Sequence, residues 1–393
     1  MRLRLLPLLF PIFLLWGCGN SSYTHIPTEY HALLDKALAR AGENAPQLRK
    51  AIANVPEEQA EGLAFLIAYM PERDLTTLSS TFLLENVAYA YAARDRFPWG
   101  SKIPKEIFLN DVLPYVSMNE TRDNWRKDFY ERFEPYLSNV DDLRAAIDSV
   151  NRHIRDELRV DYNTAREKPD QSPYESMRQN MASCSGLAVL LTDAFRAVGI
   201  PSRITGTPNW YDNRGNHSWN EVWIDGAWHF TEYYPSGLDK SRFLSSAGRA
   251  NPSDSVHAIY ATSFRPTGLP FPLVWDSTIT YVPAVNVTQR YIDLFQREKA
   301  EKLAGDFVEV KVTYLDPLKS SNDRRMAINV DVFDAAGQVD GGRTYDGTHD
   351  LNDFLTFLLR KNHTYQLHYF LPDDTEKHYE FTTTDTGCVI ELP

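Results

Sequence analysis

The dipeptide Asp225-Gly226 constrains this chain more than any other pair of residues. It separates two runs, His217–Ile224 and Ala227–Tyr234, in a way that reads as two strands joined by a turn. Asp-Gly accepts the positive φ that a two-residue β-hairpin turn demands at both of its positions. The turn predicts a register: Ile224 opposes Ala227, Trp219 opposes Glu232 and His217 opposes Tyr234. Side chains alternate along a strand, so His217, Trp219, Glu221 and Trp223 share a face with Trp228, Phe230, Glu232 and Tyr234. On that face His217 and Glu232 are diagonal neighbours, their backbones roughly 7–8 Å apart, a gap that a glutamate side chain spans. Glu221 lies four residues along the strand, roughly 13 Å from His217, and pairs elsewhere. His229, with Ser218 and Asn220, points to the other face. The aromatic residues near His217 form an apolar wall that limits water around it.

Just upstream, Ser183 is placed to cap a helix whose apolar face is Leu187, Leu190, Leu191, Ala194, Phe195 and Val198. Gly199 ends the helix and Pro201 confirms the stop. Cys184 therefore falls in the first turn, where unpaired backbone N–H groups and the helix dipole favour a thiolate. The same N–H groups could hold an oxyanion formed on a carbonyl under attack. Ser202 to Gly206 reads as a short strand and Tyr211 to Asn216 as a turn-rich loop. A cysteine at a helix start, a histidine opening a strand and a carboxylate on the next strand match the roles of nucleophile, base and orienting acid. A zinc site from Cys184, His217 and His229 is disfavoured, because only one thiol is present, His229 faces away and no paired-ligand spacing exists.

Composition narrows the partners. Against 41 Lys+Arg stand 53 Asp+Glu, a net charge of −12 without a long basic run, so no nucleic acid is expected as a partner. With 393 residues, 43% of them hydrophobic, two or three folded units are expected. Arg2 and Arg4 precede an apolar run from Leu5 to Trp16, interrupted by Pro7 and Pro11 and too short to span a bilayer. The sequence Leu15-Trp16-Gly17-Cys18 after it resembles a bacterial lipoprotein lipobox. That resemblance implies that residues 1–18 are a lipoprotein signal peptide and that Cys18 carries the lipid. The expected location is then the bacterial cell envelope, with the protein held to a membrane by its N-terminal lipid. Of the three cysteines only Cys184 and Cys388 are left as thiols, so no disulfide framework is expected.

The organisation along the chain is read as follows. Residues 23–139 show short helical patterns broken by Pro and Gly, among them His31–Ala41, Gln47–Asn54, Gln59–Tyr69 and Leu83–Ala93. Val140 to Leu158 is a longer amphipathic helix, and Asn163 to Ser176 reads as a loop. Residues 140–262 hold the Cys184–His217–Glu232 constellation. Residues 263–304 are expected as a linker with a strand at Ile279–Val287 and a helix at Tyr291–Leu303. From residue 305 to 393 alternating strands at Phe307–Tyr314, Met326–Phe333, Thr364–Phe370 and His378–Thr382 predict an antiparallel β-sandwich. Asp346, Asp350 and Asp353 lack calcium-loop spacing and read as solvated turn acids.

The segments Ser183-Cys184-Ser185-Gly186, Phe195 to Arg203, His217 to Trp223 and Gly226 to Trp228 resemble the transglutaminase-like superfamily. The resemblance implies an α+β fold: a helical N-terminal region, a papain-like α+β core as catalytic domain, and the sandwich. It also implies Cys184 as nucleophile, His217 as base and Glu232 as orienting acid of a cysteine-dependent acyl-transfer enzyme. Such an enzyme is a peptidase or amidase if water resolves a thioester on Cys184, and a transglutaminase-like acyltransferase if an amine does. Its expected substrate is a peptide or protein, cell-wall peptide included, and no cofactor or metal is called for. The alternative is a catalytically silent envelope protein that binds peptide or glycan.

Overall fold

In a computed structural model, residues 23–235, 237–317, 324–349 and 352–393 are described. The signal segment with Cys18, and Asp350, lie outside them.

Among the helices that lead the chain are α1 Thr28–Arg40, α2 Ala45–Asn54, α3 Ala60–Tyr69, α4 Ser80–Arg96 and α5 Trp125–Phe133. The sequence Ala-Glu-Gly-Leu-Ala-Phe-Leu-Ile of α3 is apolar almost all round, and the helix is accordingly buried from Gly62 to Ile67. Ser79 caps α4 by accepting the N–H of Phe82 at 3.1 Å. These helices do not form a detached arm. Phe97, Trp125, Phe129 and Phe133 share one apolar cluster with Leu190, Leu191 and Phe195 of the site helix. Arg126, 1% exposed, secures the junction. Its guanidinium donates to Asn86 Oδ1 and to the carbonyls of Val112, Leu113, Pro114 and Arg196, at 2.6–3.0 Å. Burial with Arg196 nearby lowers its pKa to about 9.

Helix α6, Leu143–Leu158, buries Ala146, Ile147, Val150, Ile154 and Leu158, and Asp142 caps it. Val140 therefore falls before the helix rather than in it. The stretch expected as a loop from Asn163 to Ser176 runs into a short helix, Pro173–Gln179. Its signal was present in the sequence: Ser172 and Glu175 form a reciprocal capping box with proline at the first position.

Helix α7 is Cys184–Ala197, and the five strands after it are β1 Ser202–Thr207, β2 His217–Ile224, β3 Ala227–Thr231, β4 Tyr260–Thr262 and β5 Ala284–Asn286. They form one antiparallel sheet in the order β3-β2-β1-β4-β5. The turn has φ of +51° at Asp225 and +85° at Gly226, and Ile224 pairs with Ala227 and Asn220 with Thr231, the register read from the turn. Helix α8, Thr288–Ala304, covers the opposite face of the sheet from α7 through Tyr291, which packs on Trp219 and Phe230. Residues 263–304, expected as a linker, thus supply the sheet edge β5 and the cover α8. The periodicity of 288–304 marked a helix but carried no sign of what it packs against.

The last seven strands are β6 Phe307–Tyr314, β7 Asn329–Asp334, β8 Gly337–Arg343, β9 Leu355–Arg360, β10 Thr364–Phe370, β11 Glu376–Thr382 and β12 Cys388–Leu392. They form two sheets, β8-β7-β10-β11 and β9-β6-β12, around a core that includes Val310, Val332, Phe357, Leu367 and Leu392. The sandwich is antiparallel except that β12 runs parallel to β6. Strands β8, β9 and β12 were not expected: glycines at 337, 341 and 342 obscure the first, Phe357, Leu358 and Leu359 break the alternation of the second, and the third has five residues.

Candidate active site

The site is built where α7 meets the open end of β2. Ser183 is extended, with φ −79° and ψ 175°, and its hydroxyl accepts the N–H of Gly186 at 3.0 Å. Cys184 is therefore the first helical residue. Every residue of α7 from Ser185 to Ala197 is buried, so the helix is enclosed all round instead of presenting one apolar face. Burial of each of its large apolar side chains contributes about 1.5–3 kcal/mol. The helix is registered on β2 by Asn220, whose amide donates to Ala188 O and Thr192 Oγ1, both at 2.8 Å. The hydroxyls of Ser185 and Ser218 meet at 3.0 Å.

Cys184 and His217 stand in hydrogen-bonding contact. Burial alone would push the Cys184 thiol up. The hydrogen bond and charge of His217 outweigh it, with help from the Ser218 N–H and the Ser185 hydroxyl, and the thiol lies below its ordinary value. Burial likewise disfavours the charged His217 ring, yet Cys184 and then Glu232 raise it to about 9. The two shifts agree in sign: each favours the charged form of its group, thiolate on one side and imidazolium on the other.

Glu232 follows the last residue of β3, and its Oε2 is 3.9 Å from His217 Nε2. That is an ion-pair contact, longer than a formed hydrogen bond. Ser241 donates to the other carboxylate oxygen at 2.6 Å, and Asn151 of α6 donates to the Glu232 carbonyl at 3.1 Å. The ladder ends at Thr231, so the expected oppositions of Trp219 with Glu232 and of His217 with Tyr234 do not form. His217 pairs with Thr207 instead, and Tyr234 turns away to donate to Asp161 at 3.0 Å. Phe243, Trp219 and Trp210 surround the imidazole at 5.3, 5.7 and 6.0 Å between ring centres. The His217 side chain keeps 27% of its surface exposed, so the site is reachable.

Glu221 takes no part in this trio. It is fully buried and binds Arg203 at 2.7 Å, Arg290 at 2.6 Å and the Tyr291 hydroxyl at 2.8 Å, while Tyr291 accepts the Trp219 indole N–H at 2.6 Å. His229 pairs with Asp239 rather than approaching the thiol. Cys388 is exposed on β12, with its thiol raised by partial burial. Asp346 is occupied by Thr348 and His349.

Ser241, Phe243 and Asn151 were not singled out from the sequence. Nothing in a serine or phenylalanine two turns beyond a hairpin signals that the chain folds back over it. Arg203 was within reach of prediction: extending the register from β2 to β1 places it directly opposite Glu221.

Residues 132–233, which contain Cys184, His217 and Glu232, match the family model of the Transglutaminase-like superfamily. That stretch is a transglutaminase-like domain set in an α+β chain. No curated protein matches the chain. Among solved structures, a candidate cysteine protease from Cytophaga hutchinsonii is 17% identical, with a TM-score of 0.28, over 48% of this chain and 58% of its own. The transglutaminase of red sea bream is 11% identical, with a TM-score of 0.30, over 73% of this chain and 65% of its own. The chain thus spans less than two thirds of either structure.

Proposed function

We propose that the chain is a cysteine-dependent acyl-transfer enzyme that hydrolyses an amide or peptide bond through a thioester on Cys184. The observation that carries this reading is geometric: Cys184 begins α7 beside His217, whose Nε2 faces Glu232 Oε2 at 3.9 Å, and in this setting the thiol is lowered and the imidazole raised to about 9. Cys184 Sγ attacks the carbonyl, and the first-turn N–H groups of α7 face the developing oxyanion. With Nε2 turned to Glu232, Nδ1 is the nitrogen that serves the sulfur. The imidazolium gives its proton to the leaving amine as the C–N bond breaks. Water then attacks the thioester while His217 takes its proton; the acid departs and the thiolate returns. Glu232 holds the ring and its positive charge. An amine in place of water makes the same site a transferase.

Alkylation with iodoacetamide tests the nucleophile. The depressed thiol is ionised below its ordinary range, and the ion pair persists until His217 deprotonates near pH 9. Cys184 is therefore expected to react fastest below pH 7, ahead of Cys388. Equal labelling of both in the folded protein would overturn the proposal. If Cys184 is reactive but a peptide and peptidoglycan mixture leaves no thioester on it by mass spectrometry, the reading as a silent binding protein takes its place.

The envelope location is proposed on the N-terminal sequence alone. Among the described residues no helix is long and apolar enough to cross a membrane. A radiolabelled fatty acid should be incorporated by the full chain and not by Cys18→Ser; equal incorporation would refute lipidation at Cys18.

A further inference from the structure

The outer face of the sheet β8-β7-β10-β11 carries a side-chain cluster that the acyl-transfer chemistry does not use. His368 on β10 and His378 on β11 are directly opposed in the ladder, with ring centres 4.1 Å apart. Directly opposed residues bring their Cβ atoms within about 5 Å on one face of a sheet. Glu376 lies two residues before His378 on the same face. Its Oε1 stands 3.2 Å from His368 Nδ1 and 3.7 Å from His378 Nε2. The ligand atoms of all three residues lie within 4.8 Å of one another. Ligands held about 2.1 Å from a tetrahedral zinc ion sit about 3.4 Å apart, so only small side-chain movements separate this trio from coordination.

A neighbouring amide decides what His368 can offer. Gln366 Oε1 is 2.7 Å from His368 Nε2. With the amide placed this way its oxygen accepts from the Nε2–H tautomer of His368. In that tautomer Nδ1, turned to Glu376, is the ring nitrogen with a lone pair for a metal ion. Metal-bound imidazoles show the same outer arrangement, the distal N–H held by a carbonyl that sets tautomer and ring orientation. On the side of β7, Phe333 packs at 4.3 Å on the His368 ring, and Asp331 is its partner in the ladder.

We propose that His368, Glu376 and His378 bind one divalent ion of the zinc class, leaving a fourth position to water. Two nitrogens and one carboxylate oxygen suit Zn2+ better than the oxygen-seeking Mg2+ or Ca2+. All three ligands come from β10 and β11, so the ion clips an edge strand to its single neighbour in the sheet.

Isothermal titration of the full chain, stripped with a chelator, against zinc chloride tests the site. The Cys184→Ser protein is run in parallel, because the thiol and His217 also offer zinc ligands. One ion per chain is expected in both, with affinity at least about 10–100-fold weaker in His378→Ala and in Glu376→Gln. Both substituted side chains are roughly half exposed, so the variants should keep their fold, as circular dichroism would show. Cobalt supplied in place of zinc should give an intense visible band that His378→Ala removes. Zinc uptake that disappears in Cys184→Ser yet ignores His378→Ala would overturn the proposal, as would no uptake at all. Neither result touches the chemistry proposed for Cys184.

Discussion

Glu232 holds its position by a hydroxyl rather than by the sheet. It stands one residue past the last rung of β3, and Ser241 fastens one carboxylate oxygen while the other faces His217. Glu232→Gln keeps the shape and removes the charge that helps to raise His217 to about 9. The sign follows directly. A raised histidine stays protonated to higher pH, so losing its carboxylate lets the proton leave earlier and lowers the upper limit of the ion-pair window. The His217 titration followed by NMR should move down. A His217 titration unchanged in Glu232→Gln would remove Glu232 from the site. At this scale much was legible in the sequence: the Asp225-Gly226 turn alone put Glu232, rather than Glu221, within reach of His217. What was not legible was contributed by residues distant along the chain. Ser241 and Phe243 arrive on a returning loop, and Asn151 arrives from α6.

Among the elements, β2 does the most to join the two halves of the core. One face receives α7 through Ser218, Asn220 and Val222. The other carries Trp219 and Glu221 against Tyr291 of α8. Glu221, itself fully buried, neutralises Arg203, 10% exposed, and Arg290, 26% exposed, so Glu221→Gln leaves both short of their counter-charge. Breaking a buried pair in this way costs about 3–5 kcal/mol. The expected result is a large drop in the urea midpoint with an unchanged slope; a midpoint within error of the parent would show that water solvates the arginines. Sequence periodicity identified α6, α8 and the strands β6 and β10, where an apolar pattern repeats without interruption. It failed at Pro173–Gln179, whose signal is a cap rather than a period, and at β8, where glycines leave no pattern to read. The three-residue strand β4 is too short to have one, whereas β5 lies inside the strand expected at Ile279–Val287.

Across the whole molecule, the sandwich is tied to the core by polar contacts. Arg214 donates to the Gly341 carbonyl at 3.1 Å, Arg249 to the Thr356 carbonyl at 2.6 Å and Ser245 to Asp340 at 2.8 Å. Burial raises Asp340 to about 6 despite the pull of Ser245, the Gly341 N–H and two arginines. An acid whose pKa is higher folded than unfolded favours the folded state most at low pH. Its contribution is present below the unfolded value of 3.8 and is lost as pH rises through about 6. Docking of the sandwich should therefore be tighter at the acid end of that interval than at neutrality, and Asp340→Asn should flatten the dependence in thermal melts; an identical pH slope in both proteins would exclude Asp340 as its source. The fold class was legible in outline, a helical region, an α+β core and a sandwich. The sequence did not reveal that residues 263–304 belong to the core, because a linker and a covering helix differ only in what they touch. One consequence concerns synthesis. Strand β6 pairs on one side with β9 and on the other, in parallel, with β12. A ribosome delivers β6 first and β12 only after the whole of the opposite sheet, so one side of β6 stays bare of hydrogen bonds while that sheet is made. An unpaired edge of this kind recruits other chains, so the nascent sandwich is most prone to aggregate, and most in need of a chaperone, before Cys388–Leu392 has emerged.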